Sequence, residues 1–292
     1  DYVNPMLGTA TLWDSVDLGF KPTKRTWGAE VFPGSSLPNA MVQVSPVTKF
    51  HSGAGYQYED SVIYGFTHTN KGHWNLCHIP LLPVTGTPTP GDYCSPFSHE
   101  RESAAPGYYQ VFLDRYGVDA QLSSTLRCAF HKYTYPAGAA ASLLADLQRS
   151  NEHVRAWDIR KEGDNVFAGW QQTGEKMYFY AVANRPVTGI EPVVEGDREV
   201  RIVRFGEGDG ALELRIGFSF VSEKNARENL EAEMLGKSFA EVRSEATATW
   251  NDLLGRIRVE GGTEREKGLF YSSLYRSFLW PALRSDVNGE FT

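Results

Sequence analysis

The chain has 292 residues, of which 41% are hydrophobic and 22% charged, and its formal net charge is −7. This balance is typical of a globular protein and excludes collagen, a coiled coil and an intrinsically disordered chain. Basic residues occur in short runs mixed with acidic ones, which argues against a nucleic acid partner, and no apolar run is long enough to span a membrane. Because the chain begins at Asp1 without a basic start or an apolar segment, we expect that any signal peptide was removed or never present.

The first hundred residues differ in kind from the rest of the chain. They are rich in Gly, Pro, His and Trp, and their apolar residues show only weak periodicity over residues 1–46 and 66–90. This composition predicts irregular backbone in both stretches. Because loops carry functional residues more often than strands do, we expect functional residues here.

Short strands separated by turn signals dominate residues 100–220. Every second residue of Leu212–Phe220 is apolar, which predicts a strand with one buried face. Strands are also predicted at five shorter runs of the same kind: Tyr108–Leu113, Leu126–Tyr135, Val166–Trp170, Met177–Val182 and Val200–Phe205. Many short strands without intervening helical patterns predict a mainly β fold, namely a large antiparallel β-sandwich.

The apolar period changes to that of a helix after Ser222. From Leu230 to Leu253 the apolar residues recur every three to five positions among Ala, Glu, Lys and Arg. This pattern predicts two amphipathic helices that are interrupted near residues 236–238. Ser238 is placed to cap the second helix.

The last part of the chain is predicted to contain a strand over Arg256–Glu260, a helix over Glu264–Leu279 and a turn at residues 286–289. A long β domain, a helical linker and one helix of a further domain indicate a truncated protein. The predicted units are a β-sandwich domain at residues 1–221, a helical linker with a short strand at 222–262, and the start of a truncated domain at 263–292.

Four of the seven histidines lie within 28 residues of one another, beside a cysteine: His51, His68, His73, His78 and Cys77. Imidazole and thiolate are the usual ligands of zinc, so a zinc hydrolase is one interpretation. The spacing matches no common zinc motif, however. We favour the alternative that these imidazoles line a polar cleft, where a neutral ring both donates and accepts hydrogen bonds and suits sugar hydroxyls.

Other self-contained sites are absent from the sequence. The three cysteines, Cys77, Cys94 and Cys128, allow at most one disulfide and form no CxxC motif. No nucleophile elbow, P-loop or calcium-binding loop motif occurs. The sequence therefore predicts neither a disulfide scaffold nor a catalytic site within this chain.

Seven motifs near the two ends of the chain carry a resemblance to a known family: Val3–Thr9, Phe32–Pro46, Gly55–Tyr58, Ile63–Thr69, Ile79–Pro83, Leu269–Phe278 and Asp286–Phe291. They are similar to motifs of glycoside hydrolase family 92, the bacterial exo-acting α-mannosidases, and they occur in the same order. The strands between Tyr108 and Phe220 match this family only as a pattern.

The resemblance implies an N-terminal β-sandwich (supersandwich), a helical linker and the first helix of a truncated (α/α)6 barrel. It further implies calcium-dependent, inverting hydrolysis of α-mannosides in mannose-containing glycans, with two carboxylates about 6.5–9.5 Å apart. The acid, the base and the Ca²⁺ ligands of the family belong to the barrel and are expected beyond Thr292. The chain's partner is then its own C-terminal catalytic domain, and the protein is expected in the periplasm, on the cell surface or secreted.

The expected contribution of this chain is a substrate-contacting loop of the sandwich, over residues 70–78. The sequence departs from the family pattern at Asn39 and in this loop. The resemblance therefore implies the fold but not the linkage specificity. An indole on a loop that contains glycine suits stacking on a sugar ring, although Trp74 equally suits packing at a domain boundary. A non-catalytic carbohydrate-binding or scaffold module is the alternative function. The predicted substrate-binding residues are Gly55, His68, Gly72, His73, Trp74 and Asn75.

Overall fold

The structure is a computed structural model, and it describes residues 2–12, 19–21, 30–70 and 77–292. These ranges contain 17 strands, which are, in chain order, β1 (Ser35–Ser36), β2 (Gln43–Val47), β3 (Val62–Ile63), β4 (Gly65–Thr67), β5 (Leu81–Val84), β6 (Ser95–Pro96), β7 (Glu102–Ala105), β8 (Tyr108–Leu113), β9 (Val118–Ser124), β10 (Cys128–Thr134), β11 (Ser142–Ala145), β12 (Ala156–Lys161), β13 (Val166–Gln172), β14 (Lys176–Ala183), β15 (Val187–Glu195), β16 (Arg198–Phe205) and β17 (Leu212–Ser219). A short 3-10 turn, His99–Arg101, precedes β7.

In the described part of the chain, the strands form two large antiparallel sheets. One has seven strands in the order β1-β2-β4-β5-β11-β16-β15, and the other has eight in the order β12-β13-β14-β17-β10-β9-β8-β7. A small separate sheet pairs β3 with β6. The predicted mainly β, antiparallel sandwich is therefore confirmed.

The core lies between the two large sheets, where alternate residues of each strand meet. In β17, Leu212, Leu214, Ile216 and Phe218 are all fully buried, as the alternation in the sequence predicts. Met177 and Phe179 of the neighbouring β14 are also fully buried and belong to the same core. Burial of each such side chain contributes about 1.5–3 kcal/mol to folding.

The six strands predicted between Tyr108 and Phe220 all occur, but part of the N-terminal prediction was wrong. Residues 1–46 and 66–90 were expected to be irregular, whereas β2 and β5 lie inside the seven-stranded sheet. Every residue of both strands is buried, so both faces are covered and the apolar alternation that marks a half-buried strand is missing. Pro46 and Pro83 within these strands further weaken the sequence signal.

Three helices follow β17: α1 (Glu223–Glu233), α2 (Phe239–Leu254) and α3 (Glu264–Ser277). The predicted break between the first two helices is confirmed, and Ser238 caps α2 in a capping box with Glu241. Helix α2 buries one face, including Trp250, whose indole N–H donates to the carbonyl of Ser36 at 2.8 Å. The linker is thereby fixed to the sandwich.

The predicted strand over Arg256–Glu260 does not form, and this prediction was wrong. The side chain of Tyr271 takes the place of a neighbouring strand, because its hydroxyl donates to the carbonyl of Ile257 and accepts from the N–H of Val259. The backbone polar groups are thus satisfied without a sheet.

The C-terminal segment, residues 278–292, is held to the sandwich by hydrogen bonds at Asn39. The backbone of Asn39, at φ 53°, bonds to Phe278 and Leu283, and its side chain donates to the carbonyl of Pro281. The predicted turn at residues 286–289 is confirmed, since the N–H of Gly289 donates to the carbonyl of Asp286 at 3.0 Å.

The carboxylate of Asp286 is 2% exposed and accepts hydrogen bonds from three side chains. Ser219 at the end of β17 donates at 2.6 Å, and Asn225 and Asn229 of α1 donate at 2.8 and 2.7 Å. Strand, helix and C-terminal turn therefore meet at one buried charge.

No helix in the described residues is long and apolar enough to cross a membrane. The three cysteines of the chain all lie within the described ranges, and they form no disulfide there.

Gly217 marks the closest approach of α1 to the sheet. A Cβ at this position would lie 2.1 Å from the carbonyl oxygen of Ala226 and 2.8 Å from Cβ of Leu230, which forces the helix away from β17. We expect Gly217→Ala to lower the free energy of unfolding by about 1–3 kcal/mol. Gly189→Ala is the matched control, because a Cβ there meets no atom within 4 Å. Calorimetric melts of the full-length protein check this, and equal melting temperatures for the two variants would contradict it.

Candidate functional site

The base of the predicted contact loop is held in the sandwich interior. The loop connects β4 to β5, and its two ends run antiparallel, with the N–H of His68 donating to the carbonyl of His78 and the N–H of Cys77 donating to the carbonyl of Thr69. Cys77 and Ile79 both have positive φ, at 49° and 55°. These residues turn the returning chain sharply back into the sheet.

Asn70, at the start of the loop, is fully buried and fully bonded. Its amide group donates to the carbonyls of Gln43 and Thr67, and its carboxamide oxygen accepts from the Thr67 hydroxyl. A buried carboxamide that is satisfied in this way has one stable position. The sheet thus fixes the point at which the loop leaves the core.

His68 lies in the core between the sheets, and both its ring nitrogens bond within the protein. Nδ1 donates to the carbonyl of Ile79 at 3.0 Å, and Nε2 lies 3.0 Å from Nε2 of His131, whose Nδ1 lies 2.5 Å from the Tyr133 hydroxyl. Burial lowers the pKa of His68 to about 3, and burial also holds the pKa of His131 well below its usual value.

These contacts determine where the protons lie. A carbonyl only accepts, so Nδ1 of neutral His68 carries the proton and its Nε2 accepts from Nε2–H of His131. Nδ1 of His131 then accepts from the hydroxyl of Tyr133. This geometry uses both ring nitrogens of His68 inside the sandwich. The substrate contact of His68 stays a prediction from the sequence.

The other predicted residues divide into two groups. Gly55 is buried at φ 78°, and its carbonyl accepts from the N–H groups of Thr48 and Lys49. Gly72, His73, Trp74 and Asn75 lie outside the described residues. The substrate-binding role proposed for Gly55 and for these four residues remains a prediction from the sequence.

The described histidines and cysteines make no metal site. His78 bonds to the hydroxyls of Thr69 and Thr173, at 3.0 and 3.1 Å, while His68 bonds to His131. Within residues 2–12, 19–21, 30–70 and 77–292, no group of three or more His, Cys, Asp or Glu side chains could hold a metal ion.

A cleft of about 720 Å³ opens beside the loop base, and we call it the 148–157 cleft. Its walls come from the segment between β11 and β12, the start of β12 and the turn after β2. The side chains that matter for its chemistry are His51, Arg149, Glu152, His153, Arg155 and Trp157. The cleft was not predicted from the sequence, in which its local trace is the polar run 150–153 followed by Trp157.

Side chains of the neighbouring segments fix the walls of the cleft. The carboxamide oxygen of Asn151 accepts from the N–H of His51 at 2.7 Å, and its amide group donates to the carbonyl of Ser52 at 3.0 Å. The amide group of Gln171 donates to the carbonyls of Leu147 and Arg149. Both sides of the cleft are therefore held in place without a ligand.

The β13–β14 hairpin connects the loop base, the cleft and the C-terminal segment. Thr173 bonds to His78, and the N–H of Gly174 donates to the cleft residue Glu152 at 3.1 Å. The next residue, Glu175, forms a salt bridge of 2.7 Å with Arg284. All three regions thus lie around the tip of one hairpin.

Comparison with known proteins defines the class as a glycoside hydrolase. The family model described as the glycosyl hydrolase family 92 N-terminal domain matches residues 2–229, and the model of the family's catalytic domain matches residues 225–292. The chain belongs to glycosyl hydrolase family 92. The family resemblance seen in the sequence is confirmed.

The chain is similar over its whole length to solved α-mannosidases of this family. The GH92 α-mannosidase BT3965 of Bacteroides thetaiotaomicron is 26% identical, with a TM-score of 0.87, and it has also been solved in complex with mannoimidazole. The inverting mannosidase BT2199 of the same organism is 24% identical, with a TM-score of 0.84, and shares the fold. These matches cover 100% of this chain and 42% or 41% of those chains.

A curated relative has a related name. It is an uncharacterized secreted glycosidase from Arthroderma benhamiae, 24% identical, and the match covers 99% of this chain and 42% of that protein. The chain thus spans about two fifths of the length of the relatives it matches.

The buried histidine pair makes stability sensitive to acid. Above pH 6.5 both imidazole rings are neutral in the folded and in the unfolded chain. Below pH 6.5 the two imidazoles of the unfolded chain bind protons, whereas His68 of the folded chain binds a proton only near pH 3. Each ring therefore lowers the free energy of unfolding by about 1.4 kcal/mol per pH unit as the pH falls through this window.

We expect His131→Gln to reduce that slope by about 1.4 kcal/mol per pH unit, because glutamine hydrogen-bonds without titrating. Urea denaturation of the full-length protein at several values between pH 4 and 7 measures the slope. His153→Gln, which removes an exposed imidazole, is the control. An unchanged slope in His131→Gln would rule out the buried pair as the acid-sensitive element.

Proposed function

We propose that this chain is the N-terminal part of an exo-acting α-mannosidase that removes terminal mannose from mannose-containing glycans. The observation that carries the proposal is the family match along the entire chain, together with structural neighbours whose names state α-mannosidase activity. The complex of one neighbour with mannoimidazole supports a mannose-shaped substrate.

In this proposal the reaction inverts the anomeric centre. One carboxylic acid protonates the leaving oxygen, and a second carboxylate activates a water molecule on the opposite face of the sugar, with the two groups about 6.5–9.5 Å apart. We assign both groups to the catalytic domain beyond Thr292. The sandwich then acts by binding and orienting the substrate.

We also propose that the full-length enzyme depends on Ca²⁺, whose ligands lie outside this chain. Calcium needs six to eight oxygen ligands, and the described residues contain no cluster of carboxylates of that kind. These residues therefore do not fit a calcium site.

Residues 70–78 are proposed to contact the sugar. The support is the buried anchoring of Asn70 and of His78, which fixes both ends of this loop at the same edge of the sandwich. Action on external glycans places the enzyme outside the cytoplasm, in the periplasm, on the cell surface or secreted. The secreted relative supports this location.

The activity of the full-length protein tests the proposal directly. Incubation with an aryl α-mannoside should release mannose, which NMR should first detect as the β-anomer because the reaction inverts. EDTA should abolish the release and added Ca²⁺ should restore it, while the 292-residue chain alone should be inactive. A full-length protein that binds mannosides without cleaving them would favour a carbohydrate-binding module instead.

Trp74→Ala and His73→Ala test the loop. Loss of a stacking indole or of an imidazole donor should lower kcat/KM about tenfold to a hundredfold, which corresponds to about 1–3 kcal/mol. Trp170→Ala is the matched control, since Trp170 lies on β13 and does not line the cleft. Normal kinetics in both loop variants would remove these residues from the site, and a lower melting temperature with unchanged kinetics would indicate a packing role.

A further inference from the structure

We propose that the 148–157 cleft binds the part of the glycan that remains after the terminal mannose is cleaved, as a subsite for neutral sugars. This inference rests on the proposed mannosidase function and adds a substrate contact that the catalytic domain does not supply. It also makes the sandwich a determinant of preference for oligosaccharides over simple mannosides.

The size and the chemistry of the cleft fit a sugar. Its volume of about 720 Å³ lies in the range of small-molecule sites. Imidazole, guanidinium and carboxylate groups supply donors and acceptors, and the indole of Trp157 supplies an apolar surface for the C–H groups of a pyranose ring.

The charge of the cleft selects a neutral ligand. Arg149 and Arg155 are offset by Glu152 and Asp197, so the lining carries no net charge when its histidines are counted as neutral. A phosphorylated or otherwise anionic glycan would gain little here, because the two arginines of the lining are balanced by two carboxylates. A mannose oligosaccharide matches this balance.

The indole of Trp157 is fixed on the cleft side of its sheet. Trp157 pairs with the buried Gln171, whereas its chain neighbour Asp158 pairs with Trp170, so the two tryptophans lie on opposite faces. The guanidinium of Arg201 lies 5.3 Å from the centroid of the Trp157 ring and supports it from the other sheet. The ring is thus positioned before any ligand binds.

The location of the cleft fits a subsite next to the cleaved bond. Glu152 bonds to the hairpin tip at Gly174, and the adjacent Glu175 bonds to Arg284, within the segment that the catalytic-domain model matches. On the other side, Thr173 bonds to His78 at the end of the predicted contact loop. The hairpin therefore joins the cleft to the last residue of the loop.

The test compares two substrates of the full-length enzyme. α-Mannosyl fluoride has no sugar in its leaving group, whereas an α-linked mannotriose retains two sugars beyond the cleaved bond. Trp157→Ala, and separately the double variant His153→Ala with Arg155→Ala, should lower kcat/KM for the triose about tenfold. Both should leave kcat/KM for the fluoride within about twofold, because the fluoride does not reach the cleft.

Two further measurements keep the outcomes distinct. Trp170→Ala, on the opposite face of the sheet, should change kcat/KM for neither substrate. Melting temperatures show whether Trp157→Ala remains folded. Calorimetry with a thio-linked, uncleavable mannotriose should show about tenfold weaker binding in both cleft variants. Equal kcat/KM ratios and equal binding in wild type and cleft variants would overturn the subsite, whereas absence of turnover of both substrates by the wild type would overturn the proposed function itself.

Discussion

The buried carboxamide of Gln171 is the contact on which the geometry of the loop base and the 148–157 cleft depends. Its oxygen accepts from the N–H of Ile79 at 2.8 Å, and its amide group donates to the carbonyls of Leu147 and Arg149. One fully buried side chain thereby joins the loop base, the cleft wall and the β13–β14 hairpin. Loss of this group would leave three backbone polar groups to be satisfied in the interior, each at a cost of about 1–3 kcal/mol.

A second buried group fixes the catalytic-domain segment to this edge. Asp286 is almost fully buried, and a carboxylate removed from water is destabilising unless hydrogen bonds compensate for the lost hydration. Ser219, Asn225 and Asn229 supply those bonds from the end of β17 and from α1. These three hydrogen bonds hold the segment in place at Asp286. Arg284 lies two residues before Asp286.

The sequence predicted elements with one buried face and missed those without one. Strand β17 alternates because its second face is only partly covered, with Glu213 and Arg215 half-buried, and the cap of α2 is encoded locally by Ser238 and Glu241. Strands β2 and β5 are covered on both faces, so no alternation marked them. The 148–157 cleft arises where His51 meets Asn151, a contact across 100 residues of sequence that the polar run 150–153 alone does not predict.

The contacts around the hairpin tip differ in how much free energy their loss would cost. The salt bridge between Glu175 and Arg284 is partly exposed and contributes at most about 1 kcal/mol, so it does not by itself fix the catalytic segment. The buried bonds of Gln171 and Asp286 are costlier to break, since each broken bond leaves a desolvated polar group. The loop base and the cleft are therefore spaced by the sandwich alone, through Gln171. In the proposed enzyme, the sandwich would thereby set the spacing between the two places that hold the glycan.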